Sequence, residues 1–158
     1  MKPLAYLLTW TTYGTWLHGD ERGWVHSGQS GIQAPDFVRQ ESVRMRMTEQ
    51  AIILDEGQRL LVEKTIREVC QLRRWEIHAI NVRSNHVHIV LSAELSLEQV
   101  LSQLKAWCSR RLSEQIGLLA DEDSRNGRKR WWTEHGSTKW INDENYLQNA
   151  IRYVNDRQ

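Results

Sequence analysis

The spacing of apolar and polar positions changes several times along the chain, and each change marks an element. Residues 4–12, LAYLLTWTT, are dense in strand-forming side chains and predict a first strand, ended by Tyr13-Gly14-Thr15. Residues 14–47 are polar and glycine-rich with no sustained period, so 26–50 reads as a loop or an insertion. From about Asp55 to Trp75 the residues Leu60, Leu61, Ile66, Val69, Cys70 and Leu72 recur at helical spacing. Two strand-like runs follow, EIHAINV (76–82) and HVHIVLS (86–92). The polar triplet Arg83-Ser84-Asn85 splits them, which is the pattern of a hairpin. Ser96 caps a second helix with the stripe Leu97, Val100, Leu101, Leu104, Trp107, Cys108 and Leu112, ending at Gly117. Residues 120–130 are a charged loop, and WWTEHGSTKWI (131–141) reads as a strand or hairpin around Gly136. Asn142 or Asp143 then caps a last helix that runs to the chain end.

The predicted order is β-α-β-β-α-β-α. Its first six elements match the ferredoxin-like split βαβ arrangement, an α+β fold in which an antiparallel sheet carries two helices on one face. The C-terminal helix is the natural cover for the other face. A length of 158 residues fits one domain spanning 1–158.

Composition narrows the function classes. With 21 Lys+Arg against 20 Asp+Glu the net charge is only +1, which excludes the strongly basic balance of an undirected nucleic-acid binder. The basic residues nonetheless bunch at Arg73-Arg74, Arg110-Arg111 and 125–130. Cys70 and Cys108 lie among apolar residues in helical segments, the usage of reduced, packed thiols in a cytoplasmic protein. No signal-like segment opens the chain, and no apolar run approaches the roughly 18 residues of a membrane helix. The expectation is a soluble, cytoplasmic protein with no membrane partner.

Candidate chemistry sits in NHVHIVL (85–91). In a strand, residues two apart share a face, so His86, His88 and Val90 point one way and Val87, Ile89 and Leu91 the other. The aliphatic trio suits the helix-covered face, leaving two imidazoles on the opposite face, able to converge on one cation. The spacing alone leaves metal binding and satisfied core histidines both open. The Cys/His spacings of structural zinc are absent, and Mg²⁺ or Mn²⁺, with additional oxygen ligands, stays open. On the last helix Leu147, Ala150, Ile151 and Val154 form an apolar stripe, with Tyr146, Asn149 and Tyr153 in a line beside it. A phenol can attack phosphorus when a metal polarises a phosphodiester. Arg83, Lys105, Arg110, Arg111, Lys129 and Arg130 are candidates for neutralising phosphates, and Trp131 or its neighbour Trp132 for stacking on an unpaired base. Surface and packing roles for these residues stay open.

NHVHIVL between a strand and a helix, the terminal AIRYVNDRQ with Tyr153, and the opening LLTWTTYGTWLHGDERGWV resemble the single-tyrosine HUH transposases. These include the insertion-sequence transposases of one class and the REP-associated tyrosine transposases. The resemblance implies a tyrosine DNA strand transferase that binds single-stranded DNA, often beside a folded hairpin. Tyr153 would form a 5′-phosphotyrosine link, and His86 and His88 would hold the divalent ion. The class includes both single chains and homodimers that share sites. Its third metal ligand is usually Gln or Asn one turn after the tyrosine, where this chain has Arg157, which has no lone pair to offer a cation. Gln158 is the favoured substitute, with Asp156 and Asn149 the other oxygens in reach. That departure keeps a second reading open, a non-catalytic, transposase-derived regulator that binds nucleic acid.

Overall fold

The hairpin predicted around Arg83-Ser84-Asn85 forms one side of the sheet, its first strand at the edge and its histidine-bearing second strand inside. The computed structural model describes residues 2–14, 24–25, 32–33, 51–119 and 130–156. Along the chain these give β1 (Ala5–Thr11), the two-residue strands β2 (Trp24–Val25) and β3 (Ile32–Gln33), and α1 (Glu56–Arg73). β4 (Glu76–Val82), β5 (His86–Ser92), α2 (Leu97–Leu119), β6 (Ser137–Ile141) and α3 (Glu144–Asp156) follow. β4, β5, β1 and β6 lie in that order in one antiparallel sheet, the ferredoxin-like order expected from the sequence. β2 and β3 pair with each other, and the rest of the predicted 14–47 loop lies outside the described residues.

Strand alternation divides the core into two. Val87, Ile89 and Leu91 face α1 and α2, packing with Leu8, Trp10, Val62, Ile66, Leu104 and Leu112. Val90 faces the other way and joins Ala5, Ala79 and Ile141 under Leu147, Ala150 and Val154 of α3. Burying a Leu or Val side chain contributes about 1.5–3 kcal/mol, enough for this stripe to hold α3 over β4 and β5. Local signals fix the helix starts. Asp55 and Gln58 form a reciprocal capping box on α1, Ser96 and Gln99 do the same on α2, and Asp143 accepts from the Tyr146 N–H on α3.

Two boundaries differ from expectation. α2 continues past Gly117 to Leu119, because an interior glycine costs a helix only about 1 kcal/mol. Within 131–141 only the last five residues form a strand. The segment before them runs along the end of β1, with the Tyr13 N–H donating to Trp131 O (2.8 Å) and the Thr133 N–H to Thr11 O (3.0 Å). Gly136 permits the approach into β6, since a Cβ there would meet the Thr9 carbonyl oxygen at 2.7 Å. Gly136→Ala is therefore expected to destabilise the fold by about 1–3 kcal/mol. Denaturant unfolding checks this, and an unchanged midpoint would mean that β1 and this turn separate without cost.

Candidate active site

His86 and His88 emerge on the sheet face that α3 covers. His88 is only 5% exposed, and its partner across the register on β1 is Thr9, whose hydroxyl lies 2.9 Å from His88 Nδ1. His86 is half-buried, with Nδ1 2.6 Å from Asn85 Oδ1. An amide oxygen only accepts, so this contact puts the proton of a neutral His86 on Nδ1 and the lone pair on Nε2. The same arrangement orients ligating histidines in metal centres. The two rings meet edge to face with centroids 4.5 Å apart.

The third aromatic group comes from α3. With Leu147, Ala150 and Val154 turned to the sheet, Tyr153 emerges beside the stripe, 38% exposed. Its ring centroid lies 5.7 Å from that of His88, at 80° between planes. Tyr146 is as exposed but sits seven residues earlier, about 10 Å back along the helix axis. The last turn of α3 is tied down by Asn81, directly opposite His88 on β4, whose Nδ2 donates to Val154 O at 3.1 Å. Neither Asn81 nor Thr9 was a candidate from sequence. Only the strand register brings them beside His88, and no local pattern encodes it.

Among the described residues, no three His, Cys, Asp or Glu side chains converge on a point. A cation held by His86 and His88 would draw its other ligands from amide or hydroxyl oxygens, water or substrate. Two imidazoles with oriented Nδ1 atoms and nearby neutral oxygens fit Mg²⁺ or Mn²⁺ in kind. Gln158 lies outside the described residues.

The basic candidates separate. Arg83 closes the hairpin through its N–H to His86 O (2.8 Å), and the alternation continued from β4 puts it on the histidine face. Lys105, Arg110 and Arg111 lie on α2, across the sheet from the histidines. Lys105 donates to Thr133 O (2.9 Å) and His135 O (2.8 Å), and burial lowers its pKa. Its ammonium thus ties the 133–135 turn to α2, which corrects the expectation of a phosphate contact. Arg110 stacks over Trp107 at 4.7 Å and Arg111 reaches Glu68 at 3.6 Å. Trp131 is a further correction. It is 3% exposed in the core, with Nε1 donating to Ser113 Oγ at 2.9 Å, so no base can stack on it. Arg130 beside it is exposed, and Lys129 lies outside the described residues.

The family model described as "Transposase IS200 like" matches residues 43–157. The chain belongs to that family. Among solved structures, it is similar to a REP-associated tyrosine transposase bound to a REP hairpin, with TM-score 0.55 and 13% identity. That match covers 98% of this chain but 66% of the other, so the chain spans just under two thirds of that relative's length. A candidate transposase from Deinococcus radiodurans R1 is similar at TM-score 0.52 and 14% identity, covering 100% of this chain and 93% of that one. At such identities the likeness establishes the fold. No curated protein matches the sequence. Among the described residues no helix is long and apolar enough to cross a membrane.

Proposed function

We propose that this IS200-like transposase cleaves and rejoins single-stranded DNA through Tyr153. The observation that carries the reading is the Tyr153 ring set edge-on to His88, itself edge-on to His86. A nucleophile and a potential cation site are thereby adjacent on rigid elements. Tyr153 Oη attacks the phosphorus of a phosphodiester, the P–O3′ bond breaks, and the 5′-phosphate becomes esterified to the tyrosine. The phenolic proton is lost to solvent, and the departing 3′-oxygen takes one up to leave a free 3′-OH. Rejoining is the reverse attack by a 3′-OH, which conserves the ester energy and needs no external energy source. A Mg²⁺ or Mn²⁺ ion held by His86 and His88 would supply Lewis-acid polarisation of the phosphate.

His88 positions the tyrosine ring, Thr9 and Asn85 fix the imidazoles, and α3 screens the site from one side. Arg83 on the histidine face and the exposed Arg130 suit DNA phosphates. The similar REP-associated protein is bound to a REP hairpin, which supports hairpin-ended single-stranded DNA as the partner. One chain supplies both the histidines and the tyrosine, which favours a site complete within a single protomer. The free thiols Cys70 and Cys108 accord with action in the cytoplasm.

The test is a pool of hairpin-forming, single-stranded oligonucleotides with randomised flanks, incubated with the protein and Mn²⁺. An SDS-resistant protein–DNA adduct is expected, lost in Tyr153→Phe and retained in Tyr146→Phe. If the protein binds hairpins from the pool yet forms no adduct with any of them, it is a DNA-binding regulator instead.

A further inference from the structure

We infer that the groove between α1 and α2 is a docking site for an acidic amphipathic helix of a protein partner, separate from the site around Tyr153. The apolar stripe on α1 is wider than the fold uses. Val69 is buried in the core, but Leu72, one turn further on the same side, is 84% exposed. No other large apolar side chain among the described residues is as exposed. A single exposed leucine is ordinary on a protein surface. Leu72, however, stands at a pocket of about 370 Å³, lined also by Val69 and, from α2, by Trp107. Trp107 is itself only half-buried, at the margin of the core.

The charges around this pocket specify the partner. Arg73 and Arg111 line it, Arg110 stacks on the Trp107 ring at 4.7 Å, and Arg74 caps the end of α1. The bunches Arg73-Arg74 and Arg110-Arg111, far apart in the sequence, thus meet at one groove. The carboxylate among the lining residues is Glu68, and Arg111 lies 3.6 Å from it. Among the described residues, Arg73 and Arg74 make no ion pair. An apolar floor with a positive rim is the complement of a helix carrying Leu, Phe or Trp at i and i+3 or i+4, with Asp or Glu beside them. Arg and Trp are also the side chains on which protein interfaces concentrate their binding energy. A nucleic-acid strand fits less well. Glu68 opposes a phosphate, Leu72 offers a base no ring, and the Trp107 ring already carries a guanidinium. The two helices lie across the sheet from His86 and His88, so a partner here leaves the candidate active site open.

The experiment selects a display library of randomised helical peptides on the full chain, then titrates the enriched peptides, labelled with fluorescein, by anisotropy. Enriched peptides are expected to carry apolar anchors at helical spacing flanked by Asp or Glu. Leu72→Ser and Arg73→Glu are each expected to weaken them by at least about tenfold, the scale of losing one central contact. Circular dichroism checks that both variants fold, and both are expected to bind a single-stranded oligonucleotide within about twofold of wild type. Enriched peptides without acidic residues, or none that depends on both Leu72 and Arg73, overturn the assignment. A tenfold loss of oligonucleotide affinity in Arg73→Glu overturns it in favour of a nucleic-acid seat. Self-association of the wild type in sedimentation, abolished by Leu72→Ser, overturns it in favour of a second copy of this chain.

Discussion

Replacing His88 by alanine is expected to slow cleavage of a hairpin oligonucleotide by at least about 10³-fold. Lewis-acid stabilisation is worth several kcal/mol, and each factor of ten in rate is about 1.4 kcal/mol, so losing one of two imidazole ligands accounts for that scale. His88 also packs against other groups of the site. It contacts the His86 and Tyr153 rings and the Thr9 hydroxyl, and it is almost fully buried. Its removal should therefore lower stability as well, by about 1–3 kcal/mol. His86→Ala separates the two effects, because His86 is half-buried where His88 is almost fully buried. It should lose comparable activity with less loss of stability. Single-turnover cleavage and thermal unfolding of the two variants provide the measurement. A His88→Ala protein that cleaves within tenfold of wild type would leave the histidine pair with no chemical role.

The parts of this site legible in the sequence are those set by local periodicity. β4 and β5 begin and end at the predicted residues, because a hairpin with a polar turn is specified by its own alternation. The same alternation placed His86 and His88 on one face without reference to the rest of the chain. The stripe on α3 likewise predicted which side of that helix meets the sheet, and so the line on which Tyr153 stands. Long-range register was not legible. Thr9 meets His88 because β1 inserts between β5 and β6, and Asn81 reaches Val154 across 73 positions of sequence. Lys105 misled for a related reason. On the helix it has the look of a solvated cation, but the carbonyls of Thr133 and His135 arrive from another segment to receive it.

Trp131 shows the same limit most plainly, and it yields the second large effect. Its place after a basic run suggested a ring offered to DNA, whereas the backbone of 131–133 is bonded to the end of β1 and draws the indole into the core. Trp131→Ala is expected to cost about 3–5 kcal/mol, since it opens a large cavity and removes the indole N–H bond to the Ser113 hydroxyl. For a chain of this size, each kcal/mol lowers the melting temperature by about 2–4 °C, so the midpoint should fall by about 6–20 °C. Trp140 is the contrast. It is 63% exposed on the edge strand β6, and Trp140→Ala should change stability by no more than about 0.5 kcal/mol. Below its own melting temperature, Trp131→Ala should bind single-stranded DNA within about twofold of wild type. Stacking on a base would instead be worth about 1–3 kcal/mol per base, a loss of roughly fivefold or more in affinity. A Trp131→Ala variant that melts like wild type yet loses that affinity would put the indole back at the DNA surface and contradict the core in which the structure places it.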